Sequence, residues 1–410
     1  MDRRLVGVIR ASFARLLLFC VLGSTAPGVR AADVGFDGTN GAAGFEAALR
    51  AAGPGGSVTL TRGFTLDRTV FVQVPDVTVS GRRQTVREGA PKFMFIVAAP
   101  DVTFAGVVFQ MQREGFFRQC ITPRAENLTV RNCTFSGGSG GIRNTGEPPR
   151  GLRVFANTFT SVTTGVAFNR DVVRVPGNPA LPEAERFGNR VARALDGGRF
   201  DIFSNRFVGD FEVGITLDAG NDGRFGNPIF PDRANPLRDA VTGRTTDFFD
   251  PRGGRSSISG NVIDGARGFG IALARVNGIS ITGNRITLPS TGNAFRFGIN
   301  LENRTNGVNI SNNDFRINDR AGGFAAGIGL VTFTDYGNAA DFANGARRIV
   351  IENNRFGGSN GRGIAGNGFA DVRATDNDFT QFADPRLYSF FNAPGGVNEI
   401  TGSGNRPRDP

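Results

Sequence analysis

A short phrase that recurs along this chain constrains its fold more than any other feature. Two aliphatic positions are followed by a turn residue, an asparagine, one further residue and a phenylalanine or isoleucine, as in Leu152–Phe159. Later copies place their asparagines at Asn205, Asn261, Asn284, Asn313, Asn354 and Asn377. The closest copies are 23 residues apart. A period in this range indicates stacked units, none of which can bury its apolar side without its neighbours.

A second phrase, Gly-Ile-x-Leu or a close variant, accompanies most copies of the first. It begins at Gly165, Gly214, Gly270, Gly298 and Gly327. Alternation with period two directs the Ile and Leu inward and the residues between them outward. Two or three such strands per unit, separated by tight turns, predict an all-β fold: a single-stranded right-handed parallel β-helix of roughly eleven coils from Val58 onward.

The repeated asparagine is predicted to be structural, because identical amides stacked about 4.8 Å apart can hydrogen-bond along the stack. The turn residue before it should tolerate a left-handed backbone. These residues are Gly260, Gly283, Asn312, Asn353 and Asp376. The phenylalanines of the phrase are expected to stack in the interior. They are Phe135, Phe159, Phe207, Phe315, Phe356 and Phe379.

The N-terminal part of the chain divides into two segments. Residues 1–31 combine four early arginines with the short apolar run Leu16–Leu22 and a small-residue end at Ala31, as in a secretory signal peptide. We therefore expect a secreted or periplasmic protein with no membrane span after cleavage. Residues 32–57 contain an amphipathic helix, Gly41–Ala52, that we expect to cap the open end of the β-helix formed by residues 58–410.

Composition narrows the possible partners and chemistry. The formal net charge is +10, and it is carried almost wholly by arginine, since Lys92 is the only lysine. Arginine binds planar anions through a rigid fork, which favours an acidic polysaccharide as partner, although a solvated basic surface explains the charge equally well. Export and the absence of a basic run argue against nucleic acid.

Histidine is absent, which removes the commonest general base, the Ser-His-Asp triad and most zinc sites. Tryptophan is also absent and there are two tyrosines, which counts against an ordinary sugar-stacking platform. Cys120 and Cys133 fall on different strands of the coil, too far apart for a disulfide, so we expect two buried free thiols.

The repeats, the opening Asp37-Gly38-Thr39-Asn40 and the glycine-rich stretch before Val58 resemble the right-handed parallel β-helix proteins of the pectate-lyase-like superfamily. The resemblance covers nearly the whole chain after the signal segment. It implies a β-helix and a class that includes polysaccharide lyases, polygalacturonases, epimerases and esterases. The chain has no Asp-Pro-His as in alginate epimerases and no Gly-His-Gly as in polygalacturonases, so the resemblance assigns no catalytic residue.

Three long insertions follow the Gly-Ile-x-Leu strand, at residues 170–199, 219–256 and 332–348. All leave from one edge, and loops of this length in a solenoid are usually functional or disordered. They should wall a groove over the outward residues of these strands. The predicted substrate-binding residues are Arg143, Asn169, Glu212, Thr216, Arg275, Arg296 and Asn300.

Two carboxylates in this groove are the candidate catalytic pair. Asp218 and Glu302 should lie two rungs apart, about 9.6 Å between backbones, which suits inverting glycoside hydrolysis. A lyase with an arginine base is the other enzymatic reading. No metal or cofactor is required, although Asp218, Asn221 and Asp222 offer oxygen ligands for Ca²⁺.

The sequence therefore predicts an exported polysaccharide-binding protein, with a glycoside hydrolase and a polysaccharide lyase as the two enzymatic alternatives. A non-catalytic extracellular or periplasmic protein, using the solenoid as a rigid structural or adhesive rod, is the alternative. The missing histidine and tryptophan favour the rod. The insertions and the acidic pair favour the enzyme.

Overall fold

The computed structural model of the chain describes most of the region after the signal segment. The described residues are 31–89, 93–111, 118–144, 151–169, 174–176, 187–189, 195–196, 199–218, 249–250, 256–274, 276, 278–291, 295–302, 305–319, 323–331, 346–359, 361–382, 388–390 and 398–406. The predicted signal peptide and most of the three insertions lie outside them.

The described residues form one helix and short strands throughout. The first part contains β1 Asp33–Phe36, α1 Gly41–Ala52, β2 Ser57–Leu60, β3 Phe64–Leu66, β4 Val70–Val72, β5 Thr78–Ser80, β6 Thr85–Glu88, β7 Phe93–Val97, β8 Thr103–Ala105, β9 Val108–Gln110, β10 Gln119–Pro123, β11 Leu128–Arg131, β12 Thr134–Ser136, β13 Gly140–Arg143, β14 Leu152–Phe155, β15 Thr158–Thr160 and β16 Thr164–Asn169. The second part contains β17 Arg174–Pro176, β18 Phe187–Asn189, β19 Leu195–Asp196, β20 Phe200–Phe203, β21 Arg206–Asp218, β22 Phe249–Asp250, β23 Ser256–Ser259, β24 Val262–Ala274, β25 Ile279–Thr282, β26 Arg285–Leu288, β27 Phe295–Glu302, β28 Asn309–Ser311, β29 Asp314–Ile317, β30 Phe324–Val331, β31 Arg347–Glu352, β32 Arg355–Gly358, β33 Arg362–Asn367, β34 Phe369–Thr375, β35 Asp378–Phe382, β36 Tyr388–Phe390 and β37 Asn398–Ser403.

Nearly all of these strands belong to two long parallel sheets. Sheet A has thirteen strands in the order β1-β2-β5-β8-β11-β14-β20-β23-β25-β28-β31-β34-β37, and sheet B has twenty. Each coil gives one strand to sheet A and usually two to sheet B. In β21 and β24 the two sheet B strands are continuous, so β21 pairs with both β15 and β16. This is the predicted parallel β-helix of roughly eleven coils.

Helix α1 lies where the sequence predicts it and packs on the first strands. Its buried face consists of Ala42, Phe45, Ala48, Leu49 and Ala52. The ring of Phe45 contacts Phe36, Phe64 and Phe95 of the first coils. The helix ends at Gly53, whose φ of 67° suits glycine and whose N–H donates to the Leu49 carbonyl. No helix in the described part of the chain is both long and apolar enough to cross a membrane.

The repeated asparagines form a continuous ladder at one corner, as predicted. The Nδ2 atom of each donates to Oδ1 of the next at 2.9–3.0 Å. Members within the described ranges are Asn157, Asn205, Asn261, Asn284, Asn313, Asn354, Asn377 and Asn405, the last lying one coil beyond the predicted copies. Each Oδ1 also accepts a backbone N–H from the preceding coil, as Asn261 does from Asn205. The predicted left-handed turn residues before them all have positive φ.

The phenylalanine column is also confirmed as interior packing. Phe135, Phe159 and Phe207 stack with centroids 4.6–4.7 Å apart, as do Phe356 and Phe379. The glycine that opens the second phrase makes room for these rings. A Cβ on Gly165 would lie 2.4 Å from the Phe207 ring. The glycine is therefore required by close packing, and its spacing in the sequence has a structural cause.

Both cysteines of the β-helix are buried and free, as predicted. Burial raises the pKa of the Cys133 thiol to about 12 and raises the pKa of Cys120 well above its ordinary value. Neither thiol is therefore a ready nucleophile at neutral pH.

Candidate functional site

The surface of sheet B from which the insertions begin carries the predicted site residues. We call this surface the insertion face; it consists of β13, β16, the C-terminal halves of β21 and β24, and β27, β30 and β33. Strand β16 ends at Asn169, β21 at Asp218 and β30 at Val331, and these three residues share one register column. The strands that precede the three insertions therefore end at the same edge of the sheet.

The register places the candidate acidic pair two rungs apart. Asp218 pairs with Ala274, and Ala274 pairs with Glu302. Adjacent strands lie about 4.8 Å apart, so the two backbone positions are separated by about 9.6 Å. Ala274, between them, is only half-buried. A small side chain thus lies between two rungs that each carry a carboxylate.

A second outward column runs beside the first, and the residues in its middle are small. Its register order is Arg143, Ala167, Thr216, Ala272, Asn300 and Gly329. Thr216 and Ala272 are half-buried, whereas Ala167 is buried. The accessible part of this column therefore lies beside the gap between Asp218 and Glu302.

Asn300 and Glu302 are joined by a short hydrogen bond. Asn300 Nδ2 donates to Glu302 Oε1 at 2.6 Å. Asn300 has no exposed surface, and its Oδ1 atom has no hydrogen-bond partner within the described structure. The Glu302 backbone carbonyl accepts from the Thr305 hydroxyl at 2.5 Å, which ties the end of β27 to the following turn.

Arg296 is placed differently from the sequence expectation of a substrate-binding residue on the open face. Its side chain is 1% exposed and paired with Asp319 at 2.8 Å. Its other guanidinium nitrogen donates to the carbonyls of Pro289 and Thr291. The turn before β27 wraps around the guanidinium, so Arg296 stabilises that turn and does not face a groove.

The other predicted binding residues are spread along the face. Glu212 is half-buried with its carboxylate 3.9 Å from Arg267. Arg143 lies four rungs from Asn300 in the second column, about 19 Å away by strand spacing. Asn169 follows Ala167 on β16, one rung from Asp218. Arg275 lies outside the described residues.

Two of the suggested Ca²⁺ ligands, Asn221 and Asp222, lie outside the described residues. Among the residues that are described, no group of three or more His, Cys, Asp or Glu could hold a metal ion.

Parts of the first two insertions pair with each other. Strand β19 from the first insertion runs parallel to β22 from the second through Leu195↔Phe249 and Asp196↔Asp250. Strands β17 and β18 pair antiparallel within the first insertion. The backbones of neighbouring insertions are therefore linked beyond the edge of the insertion face.

Sequence reasoning missed a strip of aromatic side chains on the outside of the insertion face. It comprises Phe269, Phe295, Phe297 and Phe324, and we call it the aromatic strip. All four stand one or three residues before the glycine of the second phrase, whereas the interior phenylalanines follow the repeated asparagine. This difference in position relative to the two phrases is the sequence signal that distinguishes the outer phenylalanines from the interior ones.

Comparison with solved structures finds other β-helix proteins at low identity. The A-module of mannuronan C-5 epimerase AlgE6 from Azotobacter vinelandii is 15% identical with a TM-score of 0.42, covering 90% of this chain and 96% of that chain. The PL6 family polysaccharide lyase Pedsa3628 from Pseudopedobacter saltans is 13% identical with a TM-score of 0.44, covering 91% and 92%. The catalytic unit of a GH87 α-1,3-glucanase from Streptomyces thermodiastaticus is 13% identical with a TM-score of 0.47, covering 89% and 65%.

These similarities concern the fold. The chain has a right-handed parallel β-helix fold like that of these polysaccharide-acting enzymes. No protein-family model matches the chain, and no curated protein matches it.

Proposed function

We propose that this chain is an exported protein that binds an acidic polysaccharide along the insertion face and cleaves it with Asp218 and Glu302. The observation that carries the proposal is the register of the two columns. It sets the accessible small residues Thr216, Ala272 and Ala274 beside the gap between two carboxylate-bearing rungs.

The face suits an extended polymer that lies parallel to the axis of the β-helix. Successive rungs about 4.8 Å apart present one outward position per coil to such a chain. Small side chains let the polymer approach the sheet closely. Arg143, farther along the second column, places a positive charge where a carboxylate of the polymer would pass.

The acidic pair suits hydrolysis with inversion. Carboxyl groups roughly 6.5–9.5 Å apart leave room for a water molecule on the far side of the bond that breaks. One carboxylic acid gives its proton to the departing glycosidic oxygen. The other, as carboxylate, takes a proton from the water whose oxygen bonds to the anomeric carbon. The hydrogen bond from Asn300 orients the Glu302 carboxylate, and in this proposal Glu302 acts as the base and Asp218 as the acid.

The test uses the full mature chain on polyuronates and neutral glycans, with release of reducing ends and absorbance of an unsaturated product as separate readouts. Asp218→Asn and Glu302→Gln should each abolish reducing-end release. The matched control is Asp264→Asn, because Asp264 is an exposed outward carboxylate on β24 but belongs to the adjacent face. Activity retained in both site variants would overturn the assignment, and an unsaturated product would replace hydrolysis by elimination.

One observation favours the non-catalytic rod as a second candidate. The asparagine ladder links eight coils through buried amides, which stiffens the solenoid without serving any site. A wild-type protein that retains no glycan and releases no product across the panel would favour the rod.

A further inference from the structure

The aromatic strip forms an apolar cluster separate from the main interior. Phe297 is buried together with Ala326, Val331 and Ala365, and Phe269 and Phe324 pack against them while partly exposed. Phe295 is 58% exposed, the highest value for a large apolar side chain in the described ranges. The four phenylalanines come from three consecutive coils, so the strip runs along the axis in the direction proposed for the polymer.

The rings of the strip pack on one another in stacked and tilted pairs. Phe269 and Phe297 stack with centroids 6.0 Å apart, and Phe295 is tilted against Phe324 at 5.8 Å. The Arg362 guanidinium lies 4.1 Å from the centroid of the Phe324 ring and 3.8 Å from Asp319. The strip therefore offers an apolar surface whose neighbouring cation already contacts a ring and a carboxylate.

Beside the strip, Asn300 has a buried side-chain oxygen that lacks a hydrogen-bond donor. Its Nδ2 must be the atom bonded to Glu302, because an ionised carboxylate oxygen can only accept. This leaves Oδ1 as a buried acceptor without a partner, which is unfavourable unless something else donates to it. The Phe297 ring packs against Gly329, where a Cβ would lie 2.6 Å from it, and Gly329 pairs with Asn300 on the neighbouring strand. The strip and the acceptor are therefore about one strand spacing apart, within reach of one sugar ring.

We propose that the aromatic strip and Asn300 Oδ1 form one subsite for an uncharged, hydroxyl-bearing sugar residue, an inference that rests on the proposed function. The C–H face of the sugar packs on the phenyl rings, and one hydroxyl donates to Oδ1. Because Oδ1 is shielded from solvent, neighbouring side chains shift when the hydroxyl reaches it.

The subsite selects against a uronate at this position. A carboxylate has no hydrogen to give Oδ1, and it would lie beside the Glu302 carboxylate, which repels it. The polymer is therefore a heteropolysaccharide, with acidic residues elsewhere along the face and an uncharged residue over the strip.

The test is affinity electrophoresis of the full mature chain through gels that contain a pure polyuronate, a heteropolysaccharide of uronate and neutral hexose, or a neutral glucan. We expect the heteropolysaccharide to retard the wild type most. Phe295→Ala should weaken that retention by about fivefold, the worth of one aromatic contact. Phe155→Ala is the matched control, because Phe155 is a half-buried outward ring on sheet A that stacks on Phe203. It should leave retention unchanged.

The outcomes separate the two proposals. If the polyuronate retards the wild type most strongly and Phe295→Ala has no effect, the subsite is overturned while the proposed function stands. If no gel retards the wild type, both are overturned. Asn300→Leu, which removes both amide groups, should weaken retention of the heteropolysaccharide further, and unchanged retention by a folded Asn300→Leu protein would also overturn the subsite.

Discussion

The first coils and the later coils build the same cross-section with different contacts at the same corner. In the early coils this corner is apolar, with Val107 and then Cys133, whereas from Asn157 onward it carries an amide. The packing angle between aromatic rings also differs between the two regions. Phe36 meets Phe45 and Phe64 edge to face, at 72° and 88°. Rings such as those of Phe356 and Phe379 in the later coils stack within 5° of parallel.

This difference shows what each kind of contact demands from the chain. Apolar side chains and edge-to-face rings pack in many relative positions. An amide ladder needs the same position in every coil, because its hydrogen bonds act over a narrow range of distance and angle. The first three links of the ladder span 48, 56 and 23 residues of sequence, yet all are 2.9–3.0 Å long. The 48- and 56-residue links contain the first two insertions, so even these large changes in chain length leave the ladder geometry unchanged.

The largest expected effect comes from the apolar end. Phe45→Ala should lower the free energy of unfolding by about 3–5 kcal/mol, since it opens a cavity among the rings of Phe36, Phe64 and Phe95. Solenoid coils contact only their neighbours, so the loss should be local. Hydrogen exchange should rise in peptides from residues 33–110 and stay unchanged in peptides from 346–382. Equal loss of protection in both regions would contradict the expectation that the destabilisation stays local to the first coils.

The next effect probes the ladder. Asn261→Ala removes the acceptor for Asn205 and the donors to Ile202 and Asn284, all of them buried. We expect a loss of roughly 2–4 kcal/mol, measured by denaturant unfolding.

The matched control for that variant is Asn405→Ala at the last described rung, which is only partly buried and contacts Asn377 and Ala374 on one side. It should cost about 1 kcal/mol. Equal effects for the two variants would show that the ladder stabilises only pairwise and gains nothing from continuity.

The ladder and the register columns were predictable because each rests on a repeated local rule. The asparagine follows the same turn in every coil, and outward residues alternate with period two along Gly-Ile-x-Leu strands. The pairing of Asp218, Ala274 and Glu302 follows from that alternation alone. Asn405 escaped prediction because Gly402 occupies the second aliphatic position of the phrase and Pro407 stands where the phrase has Phe or Ile.

Arg296 and the aromatic strip were not predictable from alternation. Period two, extended backward through Gly298, directs Arg296 to the open face. In the structure the carbonyls of Pro289 and Thr291 enclose its guanidinium, a contact made by a turn of irregular length. The strip was hidden because phenylalanine is usually interior, and only its place before the glycine distinguishes Phe297 from the stacked column.

A smaller, stabilising effect would extend the ladder into the early coils. Cys133 occupies the position before Asn157 and already donates its backbone N–H to Asn157 Oδ1. Cys133→Asn supplies an Nδ2 donor to the same oxygen, and we expect a gain of about 0.5–1.5 kcal/mol in unfolding free energy. Cys120→Asn, buried on another strand and outside the ladder, is the control and should destabilise the protein. A loss in the Cys133→Asn variant would mean that the corner of the early coils is too narrow for an amide.

The effect that is smallest at neutral pH concerns the buried thiol of Cys133. The pKa of Cys133 is about 12 in the folded protein because burial disfavours the thiolate, and it is about 8.5 in an unfolded chain. The thiol therefore stays protonated to a higher pH in the folded state than in the unfolded state. The free energy of unfolding is unaffected below about pH 8 and falls as the pH rises from about 8.5 toward 12. At pH 7.5 iodoacetamide should modify Cys133 only as fast as the protein unfolds. Fast alkylation under native conditions would contradict the burial of the thiol.

The direction of the ladder gives this corner an electrical character. Each of the seven ladder asparagines from Asn157 to Asn377 donates through Nδ2 to Oδ1 of the next, and each receiving Oδ1 therefore accepts from the N-terminal side. Eight amide dipoles of about 3.5 D each thus point the same way and sum head to tail, as peptide dipoles do in an α-helix. The rod is consequently polarised along its length, negative toward Cys133 and positive toward Asn405, so an anion gains by sitting near its C-terminal tip.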